Sequence, residues 1–383
     1  MDENSMDLDN FEPVARIIVI GVGGAGNNAV NRMMDEHIDN VEFYVLNTDK
    51  QALATSKAPN RIVLGEEVTK GLGAGGNPSV GKEAAIQSTD TIRSIVKGAD
   101  MVFIAAGMGG GTGTGAAPVI ASICREEGAL TIAIVTRPFT FEGKTRIANS
   151  VSGLGELKDA VDSIIIVSND KLLMASGGVP ISQAFSESDR VLAQSVKTVT
   201  DLILLPAVIN LDFADVKSTL KGSGIALIGF GMGSGEHKAE EAAENAINSP
   251  LLEASIAGAR RAICAVTCGS NVTLYEANEC VNRIIEQAGN EVDIKFGVSI
   301  NDQLNDTILV SVIASDFTED FDFTSAPTFT RPKKEMVGNG VDEAKALAIK
   351  KDEENEKNSG EDEENAKTKF LPDFFSGKLD SNS

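Results

Sequence analysis

The sequence predicts an α/β protein in which a parallel-sheet domain is joined by a long central helix to a smaller α+β domain, ahead of a disordered tail. Three observations carry this. From Ala15 onward, short β-branched runs alternate with helix-compatible segments, the mark of a parallel sheet with crossover helices. Residues 181–205 then repeat apolar side chains at the helical period. After Phe317 the composition turns polar, and Lys351–Lys367 (KDEENEKNSGEDEENAK) is acid-rich in the manner of a solvated spacer.

The first strands are expected at Ile17–Ile20, Phe43–Asn47, Met101–Ala106, Leu130–Thr136 and Ser163–Val167. Each is followed by a loop rich in glycine or polar groups: GVGGAGNN, NTDKQ, GMGGGTGTG, RPFTFEGKTR and SND. In an open parallel sheet such loops gather beyond the carboxyl ends of the strands, where ligands bind. A helix is predicted over Ala116–Glu127, with Pro118 in its first turn. In the long segment Ile181–Leu205, the residues Val191, Leu192, Val196, Val199, Leu202 and Ile203 recur near the helical period, and Pro206 stops the helix. Beyond it, Ile225–Gly229, Ala262–Thr267, Ile294–Ile300 and Thr307–Ala314 read as strands of a mixed sheet, with helices near His237–Ile247 and Tyr275–Gln287. The implied organisation is a flexible segment 1–14, a domain at 15–206 that includes the central helix, a second domain at 207–317, an acidic linker at 318–368 and a terminal peptide at 369–383.

The chain has 383 residues and a formal net charge of −22, which opposes nonspecific nucleic-acid binding and adhesion to anionic lipid. The cysteines at 124, 264, 268 and 280 form no Cys-x-x-Cys pair, and only His37 and His237 could supplement them, so neither a zinc site nor a disulfide framework is expected. Buried thiols are their expected state. The N-terminus MDENSMDLDNFEP lacks a basic region and an apolar core, and no window reaches the ~18 uncharged apolar residues of a membrane span. A cytoplasmic protein is expected.

The chemistry is concentrated in the loops. Residues 107–115, Gly-Met-Gly-Gly-Gly-Thr-Gly-Thr-Gly, lie between a buried strand and a helix, where backbone N–H groups and the helix N-terminus can close on an anion. No Gly-Lys-Ser/Thr follows, so this is not a Walker loop, and its threonines set it apart from the dinucleotide fingerprint. Linkers and tight turns are also glycine-rich, but they rarely occupy such a position. A second cradle is Gly21–Asn28. Taken with Asp49 on ribose hydroxyls, it would suit a nicotinamide-dependent oxidoreductase. A third glycine loop, Gly71–Pro78 (GLGAGGNP), weighs toward a triphosphate, because a dinucleotide fold needs one cradle.

Glu142 and Arg146 stand one helical turn apart, able to reach ribose and phosphate or simply to pair with each other. Phe185 could stack on a purine, and Asp189 one turn later could accept from the N1 and N2 donors of guanine; a core Phe and a solvated Asp would suit the same positions. Asn210, Asp212 and Asp215 (NLDFAD) lie at the far end of the central helix, on the order of 30 Å away at 1.5 Å per residue. Either Asp212 caps the next helix, or these carboxylates serve the nucleotide of a neighbouring molecule. A head-to-tail contact of that kind is heterologous, and its repetition generates an open filament.

With GGGTGTG at 109–115 and NLDFAD at 210–215, the chain resembles the tubulin/FtsZ family of GTPases over about residues 15–317. The resemblance implies a Rossmann-like GTPase domain and a self-assembling protein of the bacterial division ring at midcell. It implies that the phosphates of GTP, with magnesium, are bound by Gly21, Gly23, Gly24, Ala25, Gly26, Asn27 and Asn28, by Ala74 and Gly75, and by Gly107, Gly110, Gly111, Thr112, Gly113 and Thr114. It places Glu142, Arg146, Asn169, Phe185 and Asp189 on ribose, phosphate or guanine. It further implies hydrolysis to GDP between subunits: Asp212 and Asp215 of one polarise the water that attacks the γ-phosphate on the next, and Asn210 positions their loop. No side chain is singled out as a magnesium ligand. Ala207, Arg190, Arg261 and Cys268 depart from the family's usual residues. The terminal KFLPDFF resembles the family's C-terminal peptide, with Leu371, Pro372 and Phe374 matching its core, although the usual basic residue close behind is missing. Phe370–Phe375 is thereby expected to bind membrane-tether and regulator proteins of the FtsA, SepF or ZapA type, with no nucleic-acid partner and no direct membrane insertion.

Overall fold

The computed structural model describes residues 15–175, 180–205, 207–289 and 291–317. The expected flexible N-terminus, Pro206, the acidic linker and the terminal peptide lie outside the described residues.

Short apolar runs buried on both faces form the parallel part of the sheet. Its strands are β1 (Ile17–Val22), β2 (Glu42–Asn47), β3 (Asn60–Val63), β4 (Met101–Gly107), β5 (Leu130–Arg137) and β6 (Ser163–Ser168), in the order β3-β2-β1-β4-β5-β6. β7 (Gly224–Ser234) pairs in parallel with β6 from Ser163↔Gly224 to Ile165↔Ala226. The sheet then continues through β8 (Ala259–Cys268), β9 (Asp293–Ile300) and β10 (Thr307–Phe317) in the order β7-β10-β8-β9. β10 is antiparallel to both neighbours, while β8 and β9 are parallel. The mixed sheet expected of the second half is therefore present, and among the described residues it extends the first sheet into ten strands.

The helices of the first half are α1 (Gly23–Asp35), α2 (Lys50–Ala54), α3 (Glu66–Thr69), α4 (Pro78–Gln87), α5 (Thr89–Val96), α6 (Thr112–Glu126), α7 (Lys144–Ala160) and α8 (Asn169–Ala175). The central helix α9 (Ile181–Leu204) follows, then α10 (Phe213–Leu220), α11 (Lys238–Ile247) and α12 (Leu274–Ala288). On one face of the sheet, Ala29 and Met33 of α1 and Val191, Leu192, Val196 and Val199 of α9 pack with Ile17, Val19, Phe103 and Ile134. The same cluster runs on to Ile228, Ile263 and Ile313, so one apolar stripe of α9 serves both halves of the sheet. Each such buried Val, Leu, Ile, Phe or Met side chain contributes about 1.5–3 kcal/mol relative to exposure. The opposite face of the first half is covered by α4, α5, α6 and α7, through residues such as Ala84, Ile92, Ile120 and Leu157. In the second half, α11 and α12 cover the strands with Ala242, Ala246, Cys280 and Ile284.

The expected strands are present with ends shifted by a few residues; β3 and helices α2–α5 were not anticipated. One boundary differs in substance. α6 begins at Thr112 rather than Ala116, so Pro118 lies inside the helix beyond its first turn. Tertiary contacts hold this early turn: Thr114 Oγ1 accepts the Gly109 N–H at 2.8 Å, and Thr112 Oγ1 bonds Thr48 Oγ1. A Cβ at Gly115 would collide with the Pro78 carbonyl, so glycine is what lets α4 lie against α6. All four cysteines are free and buried, and burial pushes the Cys124 and Cys280 thiols up to about 12. Among the described residues no helix is long and apolar enough to cross a membrane.

Candidate functional site

The carboxyl ends of β1, β4, β5 and β6 open into a cavity of about 330 Å³. Val22, Gly24, Ala25 and Asn28 line it from the start of α1, and Gly107, Met108 and Gly110, Gly111, Thr112 and Gly113 from the loop into α6. Thr136, Pro138, Glu142, Arg146 and Asn169 come from the ends of β5 and β6 and the segments after them, and Phe185, Ser188 and Asp189 from the first turns of α9.

Two helix N-termini therefore meet at this cavity. Neither α1 nor α6 has a side-chain cap or an acid in its first turn, whereas α2, α4, α10 and α12 are capped by Asp49, Asn77, Asp212 and Thr273. Uncapped N–H groups and the positive ends of two helix dipoles suit an anion with several oxygens.

Gly21, Gly23, Gly26, Asn27, Ala74, Gly75 and Thr114 do not line the cavity but shape the loops that do. A Cβ at Gly26 would collide with the Ala105 carbonyl, so glycine there lets α1 press onto the end of β4. The buried Asn27 amide, in the orientation that satisfies both its ends, donates to the carbonyls of Gly23 (2.8 Å) and Gly21 (3.1 Å) and accepts from Asn47. Ala74 is buried against Gly111, and Gly75 beside it is exposed.

Opposite the glycine loops, Phe139 stacks on Phe141 with centroids 4.9 Å apart and meets Phe185 edge-on at 5.0 Å. Phe185 remains 41% exposed, a ring held in place yet open to a planar ligand. Glu142 pairs with Arg146 and also accepts the Phe139 N–H at 3.0 Å, so the ion pair and the cavity position coexist. Asn169 is buried, and its side-chain oxygen accepts from the Ser188 hydroxyl at 2.8 Å, tying the end of β6 to α9. Burial pushes the Asp189 carboxyl up to about 7, against the opposing charge of Arg32.

Asp49 is engaged elsewhere. Its Oδ1 accepts the N–H groups of Gln51 (2.8 Å) and Ala52 (3.3 Å) as the cap of α2, and it does not line the cavity. The dinucleotide reading thereby loses its ribose-binding acid.

Asn210, Asp212 and Asp215 are not brought to the cavity. They follow the other end of α9, whose 24 residues span about 36 Å at 1.5 Å per residue. Asn210 Oδ1 accepts the Ala207 N–H at 2.6 Å and closes the turn leading to the acids. Asp212 and Asp215 form a reciprocal capping box on α10: Asp212 Oδ1 accepts the Asp215 N–H at 2.8 Å, and Asp215 Oδ2 accepts the Asp212 N–H at 3.3 Å. The cap is real, yet Asp212 is exposed. Lys295 on β9 lies 3.0 Å from Asp215 Oδ1, and this hydrogen bond holds the Asp215 carboxyl below the usual range.

Sequence reasoning missed Val22, Met108, Thr136, Pro138, Ser188 and Lys295. Pro138 stands within the loop after the fourth predicted strand and Ser188 next to Asp189, so their neighbours were the available signal. The departures from the family's usual residues leave the cavity intact. Arg190 is buried beside Glu187 at 2.7 Å, Arg261 bonds Asp316 and the Ser218 carbonyl, and Cys268 is buried in β8.

Comparison with known proteins places the fold. Residues 16–177 match the GTPase domain of the tubulin/FtsZ family, and residues 224–318 match the C-terminal domain of the FtsZ family. The chain is 42% identical to an FtsZ from M. jannaschii solved as an empty dimer, with a TM-score of 0.75 over 79% of this chain and 88% of that one. CetZ2 from Haloferax volcanii, solved as a GTPγS-bound protofilament, is 20% identical with a TM-score of 0.67, over 78% of this chain and 92% of that one. CetZ1 from the same organism, a GDP-bound monomer, is 21% identical with a TM-score of 0.66, over 79% and 95%. These two share the fold. With both domain patterns present and 42% identity across most of both chains, the protein belongs to the FtsZ branch of the tubulin/FtsZ family of GTPases.

Proposed function

We propose that this GTPase polymerises head to tail, hydrolyses GTP at the contact between subunits and forms the cytokinetic ring at midcell. The carrying observation is the separation of Asp212 and Asp215 from the cavity by the length of α9. A subunit whose nucleotide cavity and exposed acids lie at opposite ends of one helix completes its site by docking on another copy. The relatives solved as a dimer and as a protofilament support self-association.

In this reading the uncapped starts of α1 and α6 hold the phosphates, Phe185 stacks on guanine, Asp189 accepts from its N1 and N2, and Glu142 and Arg146 contact ribose and phosphate. Magnesium bound with the nucleotide would neutralise phosphate charge, held mainly by the phosphate oxygens themselves. Phosphoryl transfer needs positioning and charge stabilisation more than a strong base. Asp212 and Asp215 would polarise water on the γ-phosphate of the next subunit, making hydrolysis depend on assembly. The terminal peptide Phe370–Phe375 would recruit tether proteins of the FtsA, SepF or ZapA type.

The test is phosphate release from GTP against protein concentration, with light scattering followed in parallel. A shared threshold supports the reading, and activity per subunit that stays flat on dilution sinks it. Asp212→Ala should keep GTP binding and abolish hydrolysis.

A further inference from the structure

The loop carrying the acids is fastened to β9, the last strand of the sheet, at two places. Val208 and Ile209 donate N–H groups to the Val298 carbonyl at 2.8 and 3.1 Å, and the Val298 N–H returns to the Ile209 carbonyl at 3.0 Å. On the same strand, Lys295 reaches across 80 positions of sequence to bind Asp215 at 3.0 Å. The four carboxylate oxygens of the two acids are consequently not equivalent. Asp215 uses one on Lys295 and the other on the Asp212 N–H, and Asp212 uses Oδ1 on the Asp215 N–H. Asp212 Oδ2 makes no hydrogen bond within the described residues, and it belongs to the more exposed acid.

Charge points the same way. Two carboxylates approaching a triphosphate would be repelled, and an ammonium in contact with one of them cancels half of that charge. Nearby, Lys217 sits over the Phe213 ring at 5.6 Å, and Arg261 is engaged with Asp316 and the Ser218 carbonyl. Among the described residues, Lys295 is the cation in contact with the acid pair.

We propose that Lys295 is a positioning residue for GTP hydrolysis: it anchors Asp215 and offsets part of the charge of the acid pair, fixing how the two carboxylates are presented to the nucleotide of the neighbouring subunit. This rests on the head-to-tail reading above. Lys295 then acts through Asp215 on the loop from which both acids reach the attacking water.

The experiment is a double-mutant cycle in the full chain with Lys295→Met, Asp215→Asn and both together, plus Lys295→Arg. The readouts are maximal phosphate release at saturating protein, the assembly threshold by scattering, and affinity of dilute protein for a fluorescent GDP analogue. Lys295→Met should lower maximal turnover by roughly tenfold, the effect of one contact worth about 1.4 kcal/mol in the transition state, and leave nucleotide affinity unchanged. Lys295→Arg should recover most of the turnover. In the Asp215→Asn background, Lys295→Met should cost nothing further. Undiminished turnover, losses that multiply in the double variant, or failure of arginine to rescue would each overturn the proposal. So would a change confined to the threshold, which would make Lys295 a docking residue. Lys295→Gln provides a second neutral variant should the methionine variant unfold. Absence of a threshold in the unmodified protein would overturn the head-to-tail reading and with it the role toward a neighbour; coupling between 295 and 215 would then be tested within one subunit.

Discussion

The hydroxyls of Thr48 and Thr112 lie 2.7 Å apart, both buried, and join the end of β2 to the first residue of α6. The carbonyl of Thr48 also accepts the Gly73 N–H at 3.0 Å and the Thr69 hydroxyl at 3.3 Å, so the loop Gly71–Pro78 hangs from the same residue. Thr48→Val keeps the volume and removes the bond, at a cost of about 1–2 kcal/mol, or roughly 5- to 30-fold in an equilibrium that depends on the cradle. Nucleotide affinity, followed by titration with a fluorescent GDP analogue, should fall on that scale and return with Thr48→Ser. Unchanged affinity in the valine variant would show that the loops hold their shape without it.

Asp189 gives nucleotide binding a dependence on pH. Burial raises its carboxyl from 3.8 to about 7, and guanine donors select the charged form. Below pH 7 the acid must release a proton before it can accept, so GTP affinity should weaken by roughly tenfold per pH unit under that value and level off above it. Asp189→Asn should bind more weakly and show a flat profile between pH 6 and 8. A profile in that variant as steep as in the unmodified protein would assign the titration to another group.

Gly115 marks the crossing of α4 over α6. An alanine there must displace the Pro78 carbonyl or shift the helix, and overpacking of this kind costs about 1–3 kcal/mol. Gly115→Ala should lower the thermal midpoint and weaken nucleotide binding together, because α6 begins at the cradle. Gly155→Ala in α7, where a Cβ meets open space, is the control: it should leave nucleotide binding unchanged and, as alanine replacing glycine inside an exposed helix, hold or slightly raise the thermal midpoint.

In the second half, Lys238 bridges Glu276 and Asp306, each at 2.7 Å. Hydrogen bonds from Lys238 and from the Thr273 N–H hold the Glu276 carboxyl at about 2, down from 4.5. A carboxyl lowered in the folded state contributes stability that is fully present above its unfolded value and is lost as pH falls through the folded one. The thermal midpoint should therefore decline between pH 4.5 and 2. Lys238→Met should be less stable at neutral pH, and its deficit should shrink across that interval; a constant deficit would mean that packing, not the charge, is responsible.

The strands could be seen in the sequence because a buried parallel strand is a bare apolar run ended by a loop, a local signal. The start of α6 could not, since glycine and threonine are poor helix formers and what holds Thr112–Gly115 helical is contact with Thr48, Gly109 and α4. α4 escaped notice for a related reason: the face it buries is Gly81, Ala84 and Ala85, too small to mark a period. At the site, the glycine loops, Phe185 and Asp189 were visible as residue types in suitable places. Lys295 was not, because its partner is 80 residues away and only the attachment of the acid loop to β9 brings the two together.

β6 and β7 meet over three residue pairs, whereas β7 and β10 meet over nine. A ladder so short has little resistance to shear, while α9 runs beside it as an unbroken rod that packs on both halves. Mechanically the subunit is two stiff plates, a narrow seam and a strut. The β6–β7 ladder is the shortest in the sheet, so the strut, more than the ladder, ties the cavity end of the subunit to the acid end.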